Sequence, residues 1–166
     1  IRGRVDIASR KGEGSTFTLR LPLTMAITDA MLVRVGRQHY LVPTVSILQS
    51  YRPSPGSVTT VTGRGEMAQL RGQLMPLFRL HRLFSVPDAV VNPLEGLLIV
   101  VQSAGRSTAL MVDELLGQQQ VVIKSLGGSM GRIPGISGGA ILGDGHVGLI
   151  LDPAGIVAMA DRKSVV

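Results

Sequence analysis

From residue 31 onward the chain repeats itself, and this repetition narrows its possible folds more than any other feature. Met31-Leu32-Val33-Arg34-Val35 turns at Gly36-Arg37 and resumes at Tyr40-Leu41-Val42. Leu97-Leu98-Ile99-Val100-Val101 turns near Gly105-Arg106 and resumes at Ala109-Leu110-Met111-Val112. A short apolar stretch follows each, Val45-Ser46-Ile47-Leu48 and then Glu114-Leu115-Leu116. Strand-like segments come next, Val58-Thr59-Thr60-Val61 and Val121-Val122-Ile123-Lys124. Each copy closes with a hairpin. Leu70 and Leu74 flank Arg71-Gly72 in the first, and Ile141-Leu142 and Val147 flank Gly143-Asp144-Gly145 in the second. Apolar residues three to four apart then predict a short helix in each copy, at Leu77, Leu80, Leu83 and Phe84 and at Leu151, Ile156 and Val157. Matching features lie roughly 66–73 residues apart, far beyond the period of a solenoid.

Each unit reads as five strands, and a unit of about 60–70 residues is marginal alone. Two such units sharing an apolar seam are far more stable. The expectation is therefore an all-β chain of two small packed barrels with short helices. Composition agrees: 21 glycines and 9 prolines among 166 residues suit tight turns, and hydrophobic residues at 45% suffice for a core. The function of such an object lies in its surfaces and the groove between barrels more than in a catalytic pocket.

Residues 1–24 alternate differently. Val5 and Ile7, then Phe17, Leu19 and Leu21, predict a hairpin of two half-buried strands turning at Lys11-Gly12-Glu13-Gly14, with Pro22 ending the second strand. Met25 to Met31 reads as an apolar joint into the first repeat. Cysteine is absent, which excludes disulfides, thiolate metal sites and cysteine nucleophiles. The longest aliphatic run, Leu97 to Val101, is far short of a membrane span. No signal peptide is recognisable, and a chain opening on Ile1 reads as a cytosolic piece of something longer.

The net charge of +6 is uneven: residues 1–95 hold 12 Lys/Arg and 6 Asp/Glu, and the remainder holds 5 of each. The arginines are dispersed, and few aromatics accompany them, so stacking platforms for bases are missing. A small basic barrel binding nucleic acid is the alternative reading; a basic face toward an acidic protein is the simpler one.

Motifs for catalysis are weak. Gly135-Ile136-Ser137-Gly138-Gly139 matches G-x-S-x-G, but a loop precedes it and a strand follows, where a nucleophile elbow needs a strand before and a helix after. His39, His81 and His146 have no metal-ligand spacing. Asp113-Glu114 point to opposite faces of a strand and suit surface charge or capping of the next segment. Gly12-Glu13-Gly14-Ser15-Thr16 is a hairpin turn, whereas phosphate loops open helices.

The stretch Ile7 to Ile27, through Gly12-Glu13-Gly14-Ser15-Thr16-Phe17 and Leu21-Pro22-Leu23-Thr24-Met25, resembles the junction of ATPase and regulatory domains in chemotaxis histidine kinases of the CheA type. Gly138 to Asp152 resembles the closing strands of that regulatory domain, which is similar to the coupling protein CheW. Arg71-Gly72-Gln73-Leu74-Met75-Pro76-Leu77, Asp113 to Gln118 and Ile123 to Leu126 also fit, so the likeness covers nearly the whole chain.

The resemblance implies two intertwined SH3-like five-stranded β-barrels, over about 29–92 and 93–160, whose strands can exchange. It divides the chain into the last hairpin of an ATPase domain at 1–24, a CheW-like regulatory domain at 25–160 and a linker at 161–166, with a receiver domain able to follow. It implies docking to a CheW-type coupling protein and to cytoplasmic chemoreceptor tips in membrane-associated arrays. It also implies contacts with the parent's ATPase and dimerisation domains that relay the signal. Val45, Ile47 and Leu48 align with the receptor-binding stretch, and Arg71 lies on a hairpin taken to adjoin it; for the three aliphatics the competing reading is barrel core. No nucleotide lid, Asn-bearing helix, phosphoacceptor helix or dimerisation helix is recognisable, so ATP and Mg belong to the parent kinase and the fragment itself needs no cofactor. Ser15 and Thr16 lie at most at the edge of the parent's nucleotide site, and Ser15 stands where the family usually has Thr.

Overall fold

The structure is a computed structural model that describes residues 4–20, 27–124 and 133–163. Strands β1 (Arg4–Arg10) and β2 (Gly14–Arg20) pair antiparallel in full register, so Val5 faces Leu19 and Ile7 faces Phe17. The expected half-burial does not hold, because no described residue covers the apolar face: these four side chains are 57–70% exposed.

The first copy then supplies β3 (Ile27–Val35), β4 (Gln38–Pro43), a 3-10 turn (Thr44–Ser46), β5 (Ile47–Tyr51), β6 (Val58–Val61), β7 (Gly65–Leu70), β8 (Gln73–Arg79) and α1 (Leu80–Leu83). The second supplies β9 (Leu97–Ser103), β10 (Arg106–Val112), β11 (Glu114–Val122), β12 (Ile136–Ile141), β13 (Val147–Leu151) and α2 (Pro153–Lys163). Proline at the first position of α2 fits, since its missing N–H would be unpaired there anyway.

The copies exchange their leading hairpins. One sheet runs β11-β3-β4-β13-β12, so β3 and β4 sit among strands of the second copy. The other runs β5-β9-β10-β8-β7-β6, so β9 and β10 sit among strands of the first. The parallel pairings are the insertion points: Ile150 pairs with Leu41 in one sheet, and Leu77 pairs with Ala109 in the other. Parallel neighbours require long crossovers, and the exchange supplies them. The registers define equivalent rungs, since Leu32↔Leu41 and Val100↔Ala109 carry the two parallel partners.

Neither sheet closes into a barrel, which corrects the expectation of two five-stranded SH3-like barrels. The ends of the five-stranded sheet meet only at an isolated bridge between Lys124 and Gly139. The six-stranded sheet ends on β5 and β6, separated by the loop at residues 52–57. Burial explains why closure is unnecessary. The largest core lies between the sheets, with Val33, Tyr40 and Val42 from one against Ile99, Leu110 and Val112 from the other, and Leu80 and Ile156 added by the helices. Leu98, Val100 and Met111 pack on the opposite face of the six-stranded sheet, and Leu41, Val121 and Ile150 on that of the five-stranded one. The aliphatic run of β9 is unbroken because both its faces are covered.

Asp113 joins the copies. Its side chain is only 3% exposed, so it is not the surface charge expected from sequence. It accepts hydrogen bonds from the backbone N–H of Gly36 at 2.8 Å and of Val90 at 3.1 Å, tying the β3–β4 turn to the segment that crosses between copies. Gly36 has φ 56°, and a Cβ there would lie 2.6 Å from the Pro87 carbonyl oxygen. Both its conformation and the close approach of that backbone require glycine.

Candidate docking site

Val45 sits in the 3-10 turn that leads into edge strand β5 and is 95% exposed. The strand then carries a bulge. Ile47 pairs with Val101 and Gln49 with Val100, which leaves Leu48 as the extra residue. A bulge re-aims the side chain it inserts. Ile47 packs against the inter-sheet core while Leu48 is 53% exposed. Core and surface readings therefore divide the three aliphatics: Ile47 joins the core, and Val45 and Leu48 face solvent.

The second copy repeats the device. Leu115 pairs with Val33 and Gly117 with Leu32, so Leu116 is the extra residue, and it is 45% exposed. Ile47-Leu48 and Leu115-Leu116 thus occupy equivalent places, each on an edge strand. Sequence reasoning saw the apolar stretch at Leu115-Leu116 and left it out of the candidate site. The signal was the doublet itself, recurring at the same point of both copies.

Arg71 is not beside this surface. It forms the tip of the β7–β8 hairpin with Gly72, at φ 49° and 81°, the left-handed pair that a two-residue turn demands. Between β5 and β7 lie β9, β10 and β8, which puts the two about 19 Å apart along the sheet at the usual strand spacing. Arg71 is exposed, and Leu74 beside it is exposed as well.

The other singled-out groups are placed as follows. Ser137 lies in β12, and its hydroxyl donates to the carbonyls of Ile150 at 3.3 Å and Leu151 at 3.5 Å, so it points at backbone of the neighbouring strand. Ser15 and Thr16 are exposed in β2, and the Ser15 and Ser9 hydroxyls lie 2.8 Å apart. His39 and His146, far apart in sequence, have rings 6.3 Å apart because β4 and β13 are neighbours. His146 Nδ1 lies 3.1 Å from Asp144. Among the described residues no group of three or more His, Cys, Asp or Glu side chains is placed to hold a metal ion. Of the loop expected before Ser137 at 127–134, residues 127–132 lie outside the described residues. No described helix is long and apolar enough to cross a membrane.

Residues 29–161 match the family model described as CheW-like domain. The chain belongs to the CheW-like domain family. This CheW-like domain is 41% identical over 161 residues to the chemotaxis protein CheA of Klebsiella aerogenes, covering 97% of this chain and 25% of that protein. It is 40% identical over 164 residues to the CheA of Rhizobium meliloti, covering 98% and 22%. It is 35% identical over 165 residues to the sensor histidine kinase CheAY of Helicobacter pylori, covering 99% and 20%. The chain therefore spans about a quarter or less of the length of these curated relatives. Among solved structures, the scaffolding protein TtCheW from Thermoanaerobacter tengcongensis superimposes with a TM-score of 0.62 at 14% identity, over 75% of this chain and 88% of that one. That likeness establishes the fold. The CheW-like domain is a regulatory and docking module of chemotaxis two-component signalling, as the sequence resemblance implied.

Proposed function

We propose that this domain docks a CheW-type coupling protein and cytoplasmic chemoreceptor tips, and relays their state to the ATPase domain of a parent histidine kinase in membrane-associated arrays. The β1–β2 hairpin is the closing hairpin of that ATPase domain, and its exposed Val5, Ile7, Phe17 and Leu19 are the face the rest of the ATPase domain covers. The regulatory domain proper covers 25–160, and 161–166 is a linker. ATP and Mg serve the parent, and this segment contributes contacts rather than chemistry.

The observation that carries the reading is the pair of bulged leucines. Leu48 and Leu116 are apolar, outward-facing and placed alike on the edge strands of two pseudo-equivalent halves. Nothing in folding rewards exposing a leucine at a bulge, and exposed apolar groups on edge strands are otherwise an aggregation liability. Two equivalent surfaces on one domain also suit ring-building contacts, in which one half of each partner meets the other half of the next. Val45 completes the first surface, Ile47 anchors it from the core beneath, and Arg71 marks a separate one at the β7–β8 tip.

The chain has no cysteine, so Leu48→Cys introduces a single thiol. A short bifunctional photo-crosslinker on that thiol is expected to capture the CheW-type protein, with the same label on Thr60→Cys, exposed on β6 at the opposite edge of the sheet, as the control. Equal capture from both positions would remove Leu48 from the interface.

A further inference from the structure

A cavity of about 370 Å³ lies at the base of the β7–β8 hairpin, the end away from Arg71. Its polar lining is Arg64, Glu66, Arg79 and Arg82, and Pro76 and Leu83 contribute apolar wall. Glu66 and Arg79 are already matched. Arg79 Nε donates to Glu66 Oε2 at 2.8 Å and its Nη2 to Oε1 at 2.7 Å, while its Nη1 donates to the Val91 carbonyl. Three of the five Arg79 N–H groups are thus engaged, and with its side chain 9% exposed it presents little surface to an incoming group.

Two cations remain. Arg82, exposed at the start of the cavity wall, reaches Glu66 through one contact of 3.3 Å. Arg64, in the turn between β6 and β7, has a guanidinium with no partner among the described residues. The surplus of positive charge is felt at His81, whose pKa is held below the ordinary value by burial and then by Arg82 and Arg79.

The fold does not require this cluster. The rung Met67↔Pro76 is equivalent to Gly139↔Leu149, because Gln69↔Leu74 and Ile141↔Val147 lie two residues further along each hairpin. At the matching positions of the second copy, Gly138 stands for Glu66, Asp152 for Arg79 and Gly155 for Arg82. The same strand–strand–helix unit thus forms without any of the three charges.

We propose that this cavity is a second docking site, for an aspartate or glutamate side chain carried on an apolar segment of a partner protein. Arg82 and Arg64 converge on the incoming carboxylate, for which guanidinium geometry is suited. The apolar wall takes the flanking side chains. Glu66 disfavours a densely charged polyanion, since successive phosphates would meet its carboxylate. The surface is separate from the bulged leucines and stands or falls independently of them.

The test is a titration of the isotopically labelled chain, followed by amide shifts, with acetyl-Ala-Leu-Glu-Leu-Ala-amide and its Gln counterpart. The Glu peptide is expected to move Arg64, Glu66, Arg82 and Leu83, and the Gln peptide to bind about tenfold more weakly. Arg64→Gln combined with Arg82→Gln is expected to remove that preference while leaving the melting temperature unchanged, and Arg71→Gln to leave it intact. No shift at these residues, equal response to both peptides, or a stronger response to a short oligonucleotide than to the Glu peptide would each overturn the proposal.

Discussion

Asp113→Asn tests how the two copies are joined. The native carboxylate accepts two backbone N–H groups, from Gly36 at 2.8 Å and Val90 at 3.1 Å, in a nearly dry place. Asparagine keeps one acceptor oxygen and turns its NH2 group toward the second N–H. One charge-assisted bond is then lost and one buried donor is left unpaired, which costs about 2–4 kcal/mol. For a chain of this length each kcal/mol lowers the melting temperature by about 2–4 °C, so a fall of about 5–15 °C is expected. Arg34 also lies 3.7 Å from Asp113, but its side chain is 39% exposed. Water screens such a pair, and Arg34→Gln should cost no more than about 1 kcal/mol. Urea unfolding followed by circular dichroism gives both numbers under one set of conditions. If Arg34→Gln proved as costly as Asp113→Asn, the ion pair rather than the backbone bonds would hold the copies together.

Three further outcomes are expected. Leu48→Asp and Leu116→Asp should each change unfolding free energy by less than about 0.5 kcal/mol, because both side chains face water, whereas Ile47→Asp should destabilise by several kcal/mol through the core it packs on; denaturant midpoints separate these. Gly36→Ala should cost more than about 2 kcal/mol by the same measurement, since alanine is strained at φ 56° and its Cβ meets the Pro87 carbonyl. Stability should fall on acidification in two windows, one opening below each group's ordinary pKa. The Glu66 pKa is held below its ordinary 4.5, chiefly by the hydrogen bond from Arg79, so its contribution is complete above that value and is lost as pH drops through the folded-state pKa. His81 is held below its ordinary 6.5, chiefly by burial, so its contribution is complete above 6.5 and fades below it. Urea midpoints for Glu66→Gln and His81→Gln against pH should each be flatter in the corresponding window.

The strands were legible because alternation and turn residues are local. Gly36-Arg37 and Arg71-Gly72 announce two-residue hairpins, and the aliphatic run at Leu97 announces a strand covered on both faces. Sheet membership was not legible. Whether β4 lies beside β8 or β13 depends on which apolar faces meet, and Leu41 would serve either neighbour. Closure into barrels failed for the same reason, since the pattern of buried positions is alike in a closed sheet and in two open sheets with a shared core. Leu48 was identifiable from family resemblance, yet its outward direction comes from a bulge, which depends on the partner strand and leaves no mark in its own sequence. Asp113 was misread because its role rests on two N–H groups supplied from residues 36 and 90. The Glu66–Arg79 pair spans the base of a hairpin and was visible in principle from the Arg71-Gly72 turn, which fixes the register that brings those strands together.

The proposed docking of this CheW-like domain runs through its bulged edge strands. Isothermal titration of the chain with the CheW-type coupling protein of the same organism tests it most directly, with receptor-tip fragment as a second titrant. Saturable binding to at least one of them is expected, weakening about tenfold or more in Leu48→Asp or Leu116→Asp, with circular dichroism unchanged. Absence of binding to both partners, or full affinity retained by both variants, would contradict it.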